Sequence, residues 1–254
     1  MPKVPKNRKF LDLSDYGRIP GRKIAFIIQD TFFTPVKVTL LFFLVGLLAA
    51  IFILLGNYIT AAILIILKSI LDASDGELAR LRNNPSYIGR FTDSIADIIL
   101  NLILFISIAI SINFSLILTI LSFFCFQIQG TLYNYYYVIY RRNVSGDQTS
   151  RVFEKEVPKA LGNESQKIVT ILFKVYKFMY GLFDEIIYSL DFSASESKNL
   201  NKNFMTIVSI FGLGFQLLIM SILMSIGYIH LIIPFFLYCT LLIPIFIIIR
   251  KFLI

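Results

Sequence analysis

Long apolar runs dominate this sequence and restrict the folds that it can adopt. They lie at about 36–55, 58–80, 89–111, 114–139, 204–226 and 229–249, and at least five of them reach the roughly 20 residues that a helix needs to cross a bilayer. Inside a bilayer every backbone polar group must be satisfied within the protein, which favours helices. The sequence therefore predicts an all-α integral membrane protein with six transmembrane helices.

Lysine and arginine are distributed unevenly between these runs. The connectors near 56–59, 110–115 and 225–230 contain neither residue, whereas the N-terminal segment, the turn after the second run and the ends of the fourth and sixth runs are basic. By the positive-inside rule, both termini and that turn face the cytoplasm, so we expect a cytoplasmic or inner membrane protein. Topology and anionic lipids account for the net charge of +8, and no pattern predicts nucleic-acid binding.

Two polar regions accompany the predicted spans. Residues 1–33 predict a cytoplasmic basic leader, followed by an amphipathic interfacial helix over 21–33 on the inner leaflet. Residues 34–254 form the membrane domain, which begins at Thr34 and Pro35, residues suited to a helix cap and a first turn. This domain contains a cytoplasmic insertion at about 143–203. A helix over 165–191 within it is interpreted as interfacial, with a seventh span as the rival reading.

Four aspartates lie within 26 residues, next to the second and third apolar runs: Asp72, Asp75, Asp93 and Asp97. A carboxylate near hydrocarbon is costly unless it is paired, hydrated or bound to a metal. The sequence shows no matching cluster of buried cations beside these four. The group therefore suggests a bound divalent metal.

The spacing of the aspartates predicts a pocket. Asp72 and Asp75 lie within about 60° of each other on a helix, and Asp93 and Asp97 are one turn apart on another. The polar segment 82–86 contains a proline and predicts a turn between two antiparallel helices. The resulting all-oxygen pocket suits Mg²⁺ or Mn²⁺ better than zinc.

Small and basic residues accompany this pocket. Gly76 and Ala79 leave room for a flat group to approach the helix. Arg80 adds a fixed cation for a phosphate or carboxylate.

These positions together resemble the signature of the CDP-alcohol phosphotransferases, with all eight fixed residues present: Asp72, Asp75, Gly76, Ala79, Arg80, Gly89, Asp93 and Asp97. The resemblance implies transfer of a substituted phosphate from a CDP-alcohol to an acceptor alcohol, with release of CMP, in phospholipid biosynthesis. It also implies two Mg²⁺ or Mn²⁺ ions, contact with membrane lipids and a homodimer.

The resemblance also implies roles for individual residues. It assigns Asp72, Asp75 and Asp93 to the metals, and Asp97 as the catalytic base and a further metal ligand. The CDP moiety would contact Gly76, Ala79, Arg80, Ser86 and Gly89. Many family members carry Thr-Pro-Asn-x-Val-Thr near the nucleotide; here that segment runs from Thr34 to Thr39, with Val36 in place of the asparagine.

The acceptor site is predicted from scattered residues. A phosphorylated acceptor would need cations, and the candidates are Lys68, Arg90, Arg141, Arg142 and Lys202; Lys68 could equally form a structural salt bridge. Polar residues inside the third and fourth spans favour helix–helix hydrogen bonds, with the lining of an acceptor cavity as the alternative. They are Asn101, Gln127, Gln129 and Asn134. Five tyrosines between 133 and 140 predict an interfacial aromatic belt.

The substrates remain open at this level. The resemblance favours CDP-diacylglycerol as the donor, with a small polar acceptor such as inositol phosphate, glycerol phosphate or serine. The alternative is a soluble CDP-alcohol with a lipid acceptor. The string 71–76 is similar to choline/ethanolamine phosphotransferases, whereas 75–80 is similar to the inositol-phosphate branch. A divalent-cation transporter and a non-catalytic scaffold are the alternatives from other classes.

Overall fold

The structure, a computed structural model, describes residues 4–5, 8–144, 156–197 and 200–253, and the regular elements of this part of the chain are helices. Residues 1–3 and 6–7 of the predicted leader, and 145–155 and 198–199 of the predicted insertion, lie outside the described residues. The ten α-helices are α1 (Arg18–Ile28), α2 (Pro35–Leu54), α3 (Tyr58–Leu81), α4 (Tyr87–Ser111), α5 (Leu116–Asn143), α6 (Gln166–Leu190), α7 (Lys202–Val208), α8 (Leu213–Ser225), α9 (Ile232–Cys239) and α10 (Leu242–Leu253).

The N-terminal helix α1 begins and ends earlier than the sequence predicted. It packs closely along α3 at Gly21, which has no side chain in the way. A Cβ atom at this position would lie only 2.9 Å from the carbonyl oxygen of Ile70. Its C-terminal end is fixed by Arg82, whose guanidinium donates to the carbonyls of Ile28 and Gln29 at 3.2 and 2.8 Å. These bonds satisfy carbonyls that a helix end leaves without partners. The amphipathic helix is therefore Arg18–Ile28 rather than 21–33.

Side-chain caps set the starts of the next three helices. Thr34 accepts a hydrogen bond from the Lys37 N–H at the start of α2, with Pro35 in the first turn, as predicted. Asn57 caps α3 in the same way, and Ser86 caps α4. The predicted turn at 82–86 is confirmed, since α3 ends at Leu81 and α4 begins at Tyr87.

The last two predicted spans are broken helices. The first consists of α7, a short 3₁₀ segment and α8, with a bend of 49°, and the second bends by 42° between α9 and α10. At the first bend Gly212 is extended, and a Cβ atom there would collide with the Ser14 side chain. Near the second, Pro244 has no N–H to continue the helical bonding across the break.

Three helices, α2, α4 and α5, are long and apolar enough to cross a membrane, and the number rises to five if each bent pair is one span. Helix α3 is excluded because Lys68, Asp72 and Asp75 interrupt its apolar run. By length and composition the described helices thus support three to five spans, and the predicted six are not confirmed. Helix α6 is also not among the candidates, which disfavours the rival seventh span.

The tyrosines of α5 do not form the predicted interfacial belt. All five are buried. The Tyr133 hydroxyl donates to Asp12 at 2.6 Å and the Tyr136 hydroxyl to Asp191 at 2.7 Å. The belt prediction is wrong because these rings pack inside the protein and bind the N-terminal segment and the connection that follows α6.

Candidate active site

Three aspartates converge in the space between α3 and α4, two helices that both pack against α2. One carboxylate oxygen from each of Asp72, Asp75 and Asp93 lies within 4.8 Å of the others. The i, i+3 spacing places the first two on one face of α3. The tight turn at 82–86 reverses the chain, so that Asp93 of α4 reaches the same point from the other side. We call these three residues the acidic triad. The sequence predicted both its members and their convergence in one pocket.

The triad is also held by α2. The Thr39 hydroxyl donates to Asp75 Oδ2 at 2.6 Å, and both side chains are buried. From the resemblance to the family, the sequence predicted that the segment around Thr39 lies near the nucleotide, but not that Thr39 binds Asp75. Its role as a partner of Asp75 depends on the packing of α2 against α3, which no motif indicates.

Asp97 lies outside the triad and is paired with Lys68. The Lys68 ammonium donates to Asp97 Oδ1 and, at 3.2 Å, to Asp72 Oδ2. It also lies 4.7 Å from the centre of the Phe42 ring, and its side chain is only 1% exposed. Lys68 thus joins the two aspartate-bearing helices beneath the triad, as its salt-bridge interpretation predicted.

The triad fits a hard divalent cation. Asp93 Oδ1 is buried and has no hydrogen-bond partner among the described residues. A buried carboxylate oxygen without a partner is costly, and a bound cation would satisfy it. Since the donors are all carboxylate oxygens, Mg²⁺ or Mn²⁺ matches the site better than a softer metal.

Two cavities meet at the triad. The first, of about 510 Å³, is here called the motif cavity. It is lined by the predicted CDP-contacting residues Gly76, Ala79, Arg80, Ser86 and Gly89. The structure therefore brings the whole predicted nucleotide set to one side of the acidic residues.

The second, of about 420 Å³, is here called the α5 cavity. It is lined by Asp97, by polar residues of α5 and by the N-terminal segment around Asp12, Asp15 and Arg18. Asp72, Asp93, Arg90 and Arg141 line both cavities. A group bound in one cavity would meet a group bound in the other at the aspartates.

Several polar atoms of the α5 cavity lack partners. Asn101 Oδ1, Gln127 Nε2 and Arg18 Nη2 are buried and make no hydrogen bond within the described chain. Asn134 also lines this cavity, whereas Gln129 donates to the Phe236 carbonyl at 2.8 Å. Three of the four polar residues predicted inside spans thus line the cavity, which was the less favoured interpretation.

The predicted acceptor cations fall into two groups. Arg90 and Arg141 lie between the cavities. Arg142 is exposed and donates to the Ser195 carbonyl, Lys202 is exposed at the start of α7, and Lys68 lines neither cavity. Arg90 and Arg141 are therefore the two predicted cations placed to meet a ligand at the triad.

Sequence reasoning missed residues supplied by distant segments. Asp12 and Asp15 precede the first span by some twenty residues, and their only sequence signal is polarity. Glu164 lies in the insertion, and its carboxylate accepts hydrogen bonds from the start of α4. No spacing rule links position 164 to position 86.

Fold and site together define a helical protein with apolar membrane-length segments and a buried acidic site that can hold a metal ion. The family model of the CDP-alcohol phosphatidyltransferases matches residues 32–233, most of the chain. The protein therefore belongs to this family, as its signature predicted, and this supports a transferase that uses a CDP-alcohol donor and an alcohol acceptor. Among curated proteins, none matches the sequence.

Proposed function

We propose that this protein transfers the phosphatidyl group of CDP-diacylglycerol to a small polar alcohol and releases CMP. The observation that carries the proposal is the meeting of two different cavities at one acidic triad. One cavity is lined by seven of the eight signature residues, and the other presents unpartnered polar atoms. A donor and an acceptor bound separately would there have their reacting groups side by side.

The polar character of the α5 cavity favours a small polar acceptor over a diacylglycerol. Asn101 Oδ1 can accept a hydrogen bond, and Gln127 Nε2 and Arg18 Nη2 can donate one. A hydroxylated acceptor supplies both kinds of partner, whereas acyl chains would leave these buried atoms unsatisfied. Arg90 and Arg141 are the cations that would meet a phosphate group on such an acceptor.

The metal set of the proposal is two Mg²⁺ or Mn²⁺ ions held by Asp72, Asp75 and Asp93, with Asp97 as a further ligand. The chemistry that such ions supply is neutralisation of the diphosphate and stabilisation of the CMP leaving group. Thr39 orients Asp75 through the 2.6 Å hydrogen bond to Oδ2. Arg80, which lies in the motif cavity and contacts Glu77 at 2.8 Å, is assigned to the CDP moiety.

Asp97 is proposed as the general base. It lines the α5 cavity, where the acceptor would bind, and it does not line the motif cavity. Lys68 engages its Oδ1 atom, so the proposal assigns removal of the acceptor hydroxyl proton to Oδ2. Lys68 in turn is a positioning residue that holds Asp97 and Asp72 at a fixed separation.

The proposed topology has six spans, counting α3 and the two bent pairs, with α1 on the inner leaflet and both termini and the active site facing the cytoplasm. Exposed leucines and isoleucines along α2, such as Leu44 and Ile51, suit contact with lipid. The acidic and basic residues of α3 lie between its middle, at Lys68, and its C-terminal end, next to the predicted cytoplasmic turn. We also propose a homodimer, by resemblance to the family.

A direct assay tests this function. The purified full chain in lipid nanodiscs is given CDP-diacylglycerol, Mg²⁺ or Mn²⁺, and a panel of inositol phosphate, glycerol phosphate and serine, and CMP release is measured. CMP that appears with one acceptor and needs metal supports the proposal. Release of CMP only when CDP-choline or CDP-ethanolamine is supplied together with diacylglycerol would reverse the assignment of the donor. Metal-dependent cation flux without CMP release indicates a transporter instead.

A further inference from the structure

We propose that Glu164 is a positioning residue for the transfer reaction, which holds the start of α4 and thereby the donor side of the active site. This inference rests on the proposed function. It gives the insertion that follows α5 a defined task. Glu164 itself lies just before α6, more than seventy residues along the chain from the residues that it contacts at the start of α4.

The carboxylate of Glu164 binds the first turn of α4 through both oxygens. Oε1 accepts from the Ser86 hydroxyl at 2.6 Å and from the Ile88 N–H at 2.8 Å, and Oε2 accepts from the Tyr87 N–H at 3.2 Å. The first N–H groups of a helix have no partner within the helix. Glu164 satisfies two of them, while Ser86 caps the Gly89 N–H at 2.8 Å.

The charge of Glu164 reinforces these contacts. A carboxylate at a helix N-terminus interacts favourably with the positive end of the helix dipole. Burial opposes ionisation, but the hydrogen bonds from Ser86, Ile88 and Leu161 outweigh it and hold the pKa of Glu164 below its usual value of 4.5. Glu164 occupies the N–H groups of Tyr87 and Ile88. These groups therefore cannot bind the donor diphosphate, which would be bound by the metal site and by the arginines that line the motif cavity.

Helix α6 continues the same contact along α4. The ring of Phe91 packs against Phe173 and Tyr176 at centroid distances of 5.8 and 5.2 Å. The Tyr180 hydroxyl then donates to the Ser94 carbonyl at 3.0 Å. The contacts thus extend from Ser86 to Ser94, a stretch that contains Arg90 and Asp93. A displacement of this stretch would shift the motif cavity and the triad together.

The position of Glu164 also explains why its loss should change the kinetics of the donor and not those of the acceptor. Ser86 and Gly89, which it holds directly or through one hydrogen bond, line the motif cavity and not the α5 cavity. Leu161, whose N–H donates to Glu164 at 3.2 Å, lines the motif cavity as well. Loss of the carboxylate therefore loosens one wall of the cavity assigned to the CDP moiety.

The test compares Glu164→Ala and Glu164→Gln with Glu156→Gln in the full chain. Glu156 is an exposed carboxylate of the same connection and serves as the matched control. CMP release is measured while CDP-diacylglycerol and the acceptor are varied in turn. Hydrogen exchange of the 86–91 peptide is measured in parallel, since it reports on the start of α4 whether or not the protein turns over.

We expect Glu164→Ala to lower kcat/KM for the donor by about 10- to 100-fold, the range for residues that orient metal ligands. The acceptor KM should stay within about threefold of its original value. Glu164→Gln keeps one acceptor oxygen for Ser86 and Ile88, so it should recover most of the activity and of the exchange protection. The Glu156→Gln variant should match the unmodified chain.

Two results would overturn the positioning role. Unchanged donor kinetics in Glu164→Ala, with faster exchange at 86–91, would show a cap that matters only for stability. Equal losses for donor and acceptor would show a general folding defect; if Glu164→Ala does not fold, Glu164→Asp, whose side chain is one methylene shorter, is judged by the same split. An unmodified chain that releases no CMP overturns the proposed function itself, and is thereby distinguished from failure of Glu164 alone.

Discussion

The motif cavity and the α5 cavity share one acidic wall but are built in opposite ways. Most of the motif cavity comes from one stretch of chain, 35–93, with Arg141 and Leu161 added from outside it. The α5 cavity takes residues from the N-terminal segment and from α3, α4, α5, α6 and α8. A local stretch can thus carry the chemistry that the family shares, while the acceptor side depends on how distant segments pack.

The largest expected effect falls on the wall that both cavities share. Asp93→Asn should lower CMP release by at least about 10²- to 10³-fold, the cost of losing one preorganised electrostatic group. It should also weaken binding of Mn²⁺, which titration calorimetry measures. Asp30→Asn, at an exposed position, is the control. Normal activity of the Asp93 variant would separate the acidic triad from catalysis.

Asp97→Asn should separate chemistry from donor binding. We expect kcat to fall by about 10²- to 10⁴-fold, as for loss of a general base, while CDP-diacylglycerol still binds. Single-turnover kinetics give the first quantity, and equilibrium binding gives the second. A variant that remains active would show that Asp97 is not the base.

A pair of substitutions should sharpen the contrast between the two cavities. Ala79→Leu fills part of the motif cavity, and Gln127→Leu removes an unpartnered donor from the α5 cavity. The first should raise KM for the donor and the second KM for the acceptor, each by about tenfold, equivalent to 1.4 kcal/mol. If both variants change the same KM, the two cavities do not bind separate substrates.

A smaller effect is expected where the N-terminal segment meets α5. Tyr133→Phe removes the 2.6 Å hydrogen bond to Asp12, and should lower the free energy of unfolding by about 1.5–3 kcal/mol, the range for a bond to a charged group. Denaturant or thermal unfolding measures it. Because Asp12 lines only the α5 cavity, any rise in KM should concern the acceptor and leave the donor value unchanged.

The smallest expected effect is the pH dependence of the stabilisation that Glu164 gives to the start of α4. The pKa of Glu164 is lower in the folded protein than its usual value of 4.5, so its stabilisation is present above that value and is lost as pH falls through the lowered pKa. The difference in melting temperature between the unmodified chain and Glu164→Gln should therefore shrink below pH 4.5. A difference that does not change with pH would contradict the ionised state of Glu164.

Local sequence rules predicted much of this fold, with clear exceptions. The cap at Thr34 and the turn at 82–86 were predicted because they depend on residues close to one another in the chain. The break near Gly212 was missed, since it depends on the approach of Ser14 from the far end of the sequence. The tyrosines of α5 were assigned to the membrane interface because their aromatic character is visible in the sequence and their buried partners are not.

The sequence by itself determined the helical class, the family and the convergence of Asp72, Asp75 and Asp93, because helical periodicity and one tight turn fix the geometry of neighbouring residues. Only the tertiary structure decided that Lys68 pairs with Asp97, that Thr39 holds Asp75, and that Glu164 binds the start of α4. These contacts join segments separated by roughly thirty to eighty residues. Their formation depends on which helix faces pack together, and that is a property of the whole chain.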